Sequence, residues 1–261
     1  MTVSSTEISI EKSEARGQHG MVATKHAAAS AVGADVLAAG GSAADAAVAS
    51  AFAVGVVEPW NSGVGGGGYA VVSSAEATEV IGFPMRSGTG ATAEKYPLDG
   101  RENVSGFLWS GVQGDANLHG HRAMAVPGAV AGLALLHRRH GEMPWNELVQ
   151  PAVALARQGF ELSWYDTAFM ATMAAAAQRH PELQQRYYPG GAPPTSDHFD
   201  CVRLMQPELG NSLEAIALDG PESFYVGDIA AAVASDSIAN DGVIDRAALA
   251  AYRAQVGVPL R

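Results

Sequence analysis

Residues 42–73 read SAADAAVASAFAVGVVEPWNSGVGGGGYAVVS, and the order of elements within this one stretch decides the fold class. Ser42 stands where a helix N-cap belongs, and Asp45, three residues on, favours the free amides of the first turn. The Ala-rich apolar run that follows predicts a buried helix closing at Glu58-Pro59. Glycines then dominate residues 61–68, directly before Tyr69-Ala70-Val71-Val72-Ser73, a β-type run. A second such run, Thr78-Glu79-Val80-Ile81-Gly82-Phe83, lies across a short polar turn, so the pair predicts a β-hairpin. The glycines therefore precede a strand. A phosphate-cradling loop needs the reverse order, strand then glycines then helix, closed by Lys and Ser or Thr, which argues against nucleotide binding. Adjacent glycines permit positive φ and close backbone approach, serving either tight packing or exposure of amides to a substrate.

Upstream of this stretch, residues 1–19 form a polar leader, and Gly20-Met21-Val22-Ala23-Thr24 reads as a short strand. From His26 an Ala-rich segment with Val32, Val36 and Leu37 on one face predicts a helix stopping at Gly40-Gly41. Two consecutive helices this rich in small residues bring their backbones close, which suits the middle of a layered domain. Downstream, residues 84–122 hold Pro, Gly, Ser and Asn without a period, the longest irregular stretch and the kind that carries function. It contains Arg86, Arg101, His119, His121 and Arg122. The His119-Gly120-His121 pattern lacks a third ligand at helical spacing, so no metal site is expected from it.

From Pro127 at a first-turn position to residue 261 the pattern is mostly helical. Helices are expected over 127–141, 145–158, 164–180, 207–218, 227–240 and 245–255, with the Pro/Gly-rich loop 187–200 as a subdomain boundary. His137, Arg138, Arg139 and His140 read as a solvated helix end favoured by the dipole.

Composition narrows the function classes. The chain of 261 residues is 48% hydrophobic and 16% charged, which suits a globular protein with a sizeable core and excludes disordered and collagen-like classes. The balance of 16 Lys+Arg against 27 Asp+Glu gives a net charge of −11, opposite to the basic footprint that nucleic-acid binding needs. The single Cys201 provides neither an internal disulfide nor a cysteine-rich zinc site. Residues 1–20 lack the apolar core of a signal peptide, and the run 43–57 falls short of the roughly 20 apolar residues of a membrane span. A cytoplasmic protein without a membrane partner is the expectation. No GxSxG elbow, HExxH or Ser/His/Asp set stands out, so the residues alone do not name a reaction.

Several segments, in order along the chain, resemble one family. Gly20-Met21-Val22-Ala23-Thr24-Lys25-His26, Ala38-Ala39-Gly40-Gly41-Ser42-Ala43-Ala44-Asp45-Ala46-Ala47, Val56-Val57-Glu58-Pro59 and Ser62-Gly63-Val64-Gly65-Gly66-Gly67-Gly68 are similar to the start of γ-glutamyltranspeptidases. Val126-Pro127-Gly128-Ala129, Gln150-Pro151-Ala152, Ala156-Arg157-Gln158-Gly159-Phe160, Gly220-Pro221-Glu222-Ser223-Phe224-Tyr225 and Leu249-Ala250-Ala251-Tyr252 continue the match. The resemblance implies an α+β fold, the αββα sandwich of N-terminal-nucleophile hydrolases. This chain would supply the large-subunit part with a mostly helical C-terminal half, residues 20–261. It further implies a Thr that is both nucleophile and, through its free α-amine, its own base. No such Thr is expected among these residues, so a small subunit carrying an N-terminal Thr is the expected partner. The chain alone would leave an apolar sheet face uncovered. No cofactor is implied.

Members of the family place an Arg just after the hairpin, in an Asp-Phe-Arg-Glu segment, to bind the α-carboxylate of a γ-glutamyl substrate such as glutathione. Here the segment reads Gly82-Phe83-Pro84-Met85-Arg86-Ser87, with Pro84 at that position and Arg86 two residues on. Arg86 is the candidate contact for an amino-acid or peptide substrate, or else a solvated loop cation. Three readings follow. The first is the large-subunit portion of an enzyme that hydrolyses or transfers a γ-glutamyl or related acyl group. The second is a homologue repurposed for specialised metabolism, acting on a non-glutathione amide or a C–C bond. The third is a non-catalytic fragment or partner subunit.

Overall fold

The computed structural model describes residues 14–104, 108–194 and 202–259. Most of the polar leader, the end of the 187–200 loop and Cys201 lie outside them. Helix α1 (Ala27–Ala38) and helix α2 (Ala43–Val57) form the hairpin expected from their small residues. Ser42 and Asp45 close a capping box, the Ser42 hydroxyl accepting from the Asp45 amide at 3.1 Å and the Asp45 carboxylate from the Ser42 amide at 2.9 Å. A Cβ on Gly33 would overlap Ser50, so the two helices meet at a distance that only glycine permits. Residues 20–24, expected as a strand, pair with no neighbour among the described residues; Met21 faces solvent, and Thr24 is spent on the α1 entry, its amide donating to Ser30 Oγ at 3.0 Å.

After the glycines come β1 (Gly68–Ser73) and β2 (Thr78–Phe83), antiparallel with Val71 opposite Val80. Helix α3 (Ala129–His140) starts two residues later than the sequence suggests. Pro127 disfavours helical geometry at Val126, which instead bridges to Arg86, and Gly128 takes the cap position. Then follow α4 (Trp145–Gln158), the short β3 (Phe160–Glu161), α5 (Trp164–Ala177) and α6 (Pro181–Tyr187). β4 (Arg203–Leu204) pairs with β3, two strands too short to leave a periodic signal. The C-terminal part comprises α7 (Pro207–Leu218), α8 (Ser223–Val226), α9 (Asp228–Ala239), α10 (Arg246–Ala251) and β5 (Gln255–Gly257). The helix expected over 245–255 therefore stops at Ala251. Tyr252 adopts φ −64° and ψ 134°, and the chain continues as a third strand beside β2.

The sheet order is β1-β2-β5. One face, through Ile81 and Phe83, packs on the helical core of Val48, Phe52, Val56, Val130, Leu133 and Leu148. On the opposite face Tyr69 and Val71 are 69% and 67% exposed, the uncovered apolar sheet face expected of this chain alone. The end of α3 is not a free solvated terminus. Arg139 donates to Glu79 at 2.8 and 2.6 Å, and His140 lies 2.5 Å from the same carboxylate, which ties the helix to β2. Long-range charge pairing overrides the local dipole argument there, and Arg139 first, then His140, pull the Glu79 carboxyl down to about 2. No helix of the described residues is long and apolar enough to cross a membrane.

Candidate functional site

β2 ends at Phe83 and delivers Pro84-Met85-Arg86 to the rim of the glycine run. A Cβ on Gly67 would sit 2.6 Å from both the Met85 amide nitrogen and the Phe83 carbonyl oxygen, so a side chain there would push the segment away. The Gly66 carbonyl accepts from the amides of Gly128 and Ala129 at 2.8 and 3.0 Å, which uses the first free donors of α3. Gly55 and Gly63 also approach each other closely, whereas Gly65 faces open space. Of the two roles left open for the glycines, close packing accounts for Gly55, Gly63 and Gly67, while Gly65 has open space where a side chain would stand, beside a cleft.

That cleft is about 980 Å³ and runs from Gly63 to Gly66 across to Tyr187, Gln206 and Glu208. A smaller apolar hollow of about 220 Å³, with Phe52, Phe83 and Met85 among its walls, adjoins it at the same glycines.

Arg86 is held by its backbone and free at its head. Its amide donates to the Val126 carbonyl at 3.1 Å, and the Val126 amide returns a bond of 2.7 Å. The Tyr252 hydroxyl donates to the Pro84 carbonyl at 2.7 Å, and the Arg86 guanidinium carbon lies 5.4 Å from the Tyr252 ring centroid. Tyr252 stacks on Tyr225 at 5.7 Å, and Tyr225 in turn donates to the Pro127 carbonyl at 3.1 Å. Burial pushes both phenols upward, so they stay neutral beneath the cation.

The other loop cations are spoken for. Arg101 pairs with Asp99 and Asp115, Arg122 with Asp241, and Lys95 with Asp241 at 2.8 Å. Among the described residues Arg86 has no carboxylate partner, and it is exposed. A guanidinium oriented by an aromatic face and uncompensated by an acid is chemically fitted to a ligand carboxylate. The two histidines of His119-Gly120-His121 diverge: His121 pairs with Asp236 at 2.9 Å, while His119 lies 6.3 Å from the ring of His180. Among the described residues no group of three or more His, Cys, Asp and Glu side chains is arranged to hold a metal ion.

Sequence reasoning singled out Arg86 as a candidate but not the aromatic residues beneath it. Tyr225 and Tyr252 belong to segments that carried the family resemblance, yet nothing local shows that two aromatic residues 27 positions apart stack under a loop from the hairpin.

Residues 29–261 match the model of the gamma-glutamyltranspeptidase family. An acylase ACY 1 proenzyme from Pseudomonas sp. strain V22 is 38% identical over 98% of this chain and 45% of its own length. The glutathione hydrolase proenzyme of Escherichia coli K12 is 35% identical over 94% of this chain and 40% of its length. The chain thus spans less than half of these curated relatives. The crystal structure of Helicobacter pylori gamma-glutamyltranspeptidase superposes with a TM-score of 0.82 at 26% identity, covering 95% of this chain and 68% of that one. The fold is accordingly the mixed helix-and-sheet type of the N-terminal-nucleophile hydrolases.

Proposed function

The chain belongs to the gamma-glutamyltranspeptidase family, and from that premise we propose that it is the large-subunit portion of an enzyme that hydrolyses or transfers a γ-glutamyl or related acyl group. Arg86 holds the carboxylate of a small amino-acid or peptide substrate, and the nucleophilic Thr comes from a chain or segment outside residues 1–261. The observation that carries this reading is the Arg86 guanidinium, which lies over Tyr252 without an acid partner among the described residues, on a backbone clamped to Val126. The glycine packing adds to it, since the Phe83–Met85 backbone cannot drift from the glycine run without opening the Gly67 contact. The exposed Tyr69 and Val71 face supports a second subunit or segment as the covering layer. In the reaction so proposed, the Thr hydroxyl attacks the substrate carbonyl and passes its proton to its own α-amine, which hands it to the departing amine as the scissile C–N bond breaks; the acyl-enzyme left behind is then cleaved by water or by a second amine. This chain's contribution is binding and orientation.

Two experiments test it. Co-expression with the downstream coding region, followed by mass spectrometry, should give a small chain that begins with Thr; another first residue overturns the mechanism. In the complete enzyme Arg86→Ala should lower kcat/KM by about ten- to a hundredfold, the loss of a charge-assisted bond of roughly 1.5–3 kcal/mol, with KM rising more than kcat falls. Arg122→Ala should leave kcat/KM near the parent value. The reverse pattern would place the carboxylate pocket elsewhere in the 84–122 loop.

A second reading, an amide hydrolase that does not take glutathione, is favoured by Pro84 following Phe83 and by the 38% identity to relatives named acylases. A γ-glutamyl anilide assayed against aryl-acyl and alkanoyl anilides separates the two. Robust glutamate release supports the first reading, and turnover of the simple acyl anilides alone supports the second.

A further inference from the structure

A groove runs between α3, α8 and the end of α10. It holds about 470 Å³, room for one amino-acid-sized molecule and too little for an element of another protein. Its apolar walls are small: Ala131 and Ala134 on α3, Val226 on α8 and Ala250 on α10. The rings of Tyr225 and Tyr252 line it too, with their hydroxyls already donating to the Pro127 and Pro84 carbonyls at 3.1 and 2.7 Å.

Three charged side chains border the same groove, Arg138, Arg253 and Glu222, and all three are exposed. Arg139, the neighbour of Arg138, is consumed by Glu79 at 2.6 Å, whereas Arg138 itself pairs with no acid among the described residues. Arg253 is likewise without an acid there, yet it is held: its Nη1 donates to the Ala250 and Tyr252 carbonyls at 2.7 and 2.6 Å, which leaves Nε and Nη2 for another acceptor. Glu222 stands at the cap position of α8, but its carboxylate makes no capping bond and meets no base among the described residues. Arg138 and Glu222 also border an adjoining hollow of about 450 Å³, so both stand where the two spaces meet.

The signs of these charges select the ligand. Two guanidiniums without acids favour a carboxylate, and a carboxylate without a base favours an ammonium. A plain anion would leave Glu222 uncompensated, and a plain cation would leave both arginines so; a molecule that carries both charges satisfies all three. We propose that this groove binds a free α-amino acid as its zwitterion, the carboxylate between Arg138 and Arg253, the ammonium at Glu222 and an aliphatic side chain against the alanines. Arg86 does not line the groove, so the site is independent of the Arg86 reading and no turnover is assigned to it.

Calorimetric titration of the protein as expressed with L-leucine should give binding with a Kd of roughly 1 mM that weakens as salt is added. N-acetyl-L-leucine lacks the ammonium and L-leucinamide lacks the carboxylate, and each should bind roughly three- to tenfold more weakly. Glu222→Gln should erase the difference between L-leucine and N-acetyl-L-leucine. Arg138→Gln and Arg253→Gln should each narrow the difference between L-leucine and L-leucinamide, while Arg86→Ala should leave all three affinities as they are. The Arg138 and Glu222 side chains are exposed, so their variants should fold normally, and they decide alone if Arg253→Gln does not fold. The proposal is overturned by absence of binding at roughly 10 mM L-leucine, by either capped probe binding as tightly as L-leucine, or by Arg86→Ala weakening binding as much as Arg138→Gln.

Discussion

Helix α2 meets the rest of the molecule through Val48, Phe52 and Val56, none more than 3% exposed, whereas the 84–122 loop meets it through Lys95, His121 and Arg122, each paired with an aspartate of α9 or the turn after it. The first contact is apolar area, indifferent to salt and to pH; the second is a set of solvent-accessible charges, sensitive to both. Helix α2 supplies the wall behind the glycine run, and the loop carries Arg86 at its start. The comparison therefore predicts that a rigid backbone and an adjustable rim share one site.

The most heavily hydrogen-bonded buried carboxylate in the apolar region should give the largest effect when removed. Asp45 is fully buried and accepts from the amides of Ser42, Glu142 and Met143, joining α2 to the turn after α3. Asp45→Ala leaves these donors unpaired and should cost about 3 kcal/mol, read as a lower urea midpoint at unchanged slope. A loss below about 1 kcal/mol would mean that apolar packing alone holds the hairpin and would sharpen the contrast further.

Gly132→Ala comes next. Its Cβ would overlap the Phe83 ring, so overpacking should cost about 1–3 kcal/mol in thermal unfolding. Because Phe83 leads into Arg86, the same variant should raise KM, connecting the two regions. Unchanged KM with lowered stability would show that the rim is insulated from the core.

Acid titration separates the regions by a smaller margin. Burial pushes the Asp45 carboxyl up, but the Glu142, Ser42 and Met143 donors outweigh it and hold it below its ordinary value. Lys95 first, then Arg122, hold Asp241 down at about 2. Both groups are depressed in the native state, so their stabilisation is fully present above the ordinary carboxylate range near pH 4. It is lost as pH falls through the native values. Chemical denaturation between pH 5 and pH 2 should show falling stability, and both Asp45→Ala and Asp241→Asn should flatten that fall.

The smallest effect is expected from Asp241→Asn at neutral pH. It releases Lys95 and Arg122 together, so melting should barely move while trypsin cleavage within 84–122 quickens. High salt should reproduce this in the parent protein. Equal cleavage rates in both would mean that Thr89–Asp245 and His121–Asp236 suffice to hold the loop.

Much of the fold was legible because its signals are local. The Ser42/Asp45 capping box, the Gly40-Gly41 stop and the alternation in β1 and β2 act within a few residues, and each appears where expected. The misreadings share one cause. Residues 20–24 carry β-type side chains without a partner strand, and residues 252–257 follow a helical pattern with an extended segment recruited by β2. In both cases the presence or absence of a distant partner strand overrides local propensity. The same holds for Arg139 and His140, whose tie to Glu79 lies about sixty residues away along the chain.

By itself the sequence determined the helical hairpin, the glycine run ahead of a β-hairpin, the family and the presence of a cation just after β2. Only the tertiary structure decided which loop cation is left without an acid. Arg122 finds Asp241 at a separation of 119 residues, and no pattern near Arg86 reveals that it finds none among the described residues. Tertiary structure also decided that Gly67 packs against the Phe83–Met85 backbone and that Tyr252 lies beneath Arg86. Caps and periodicities are short-range energies written residue by residue, whereas charge pairing and close backbone approach exist only once distant segments share a volume.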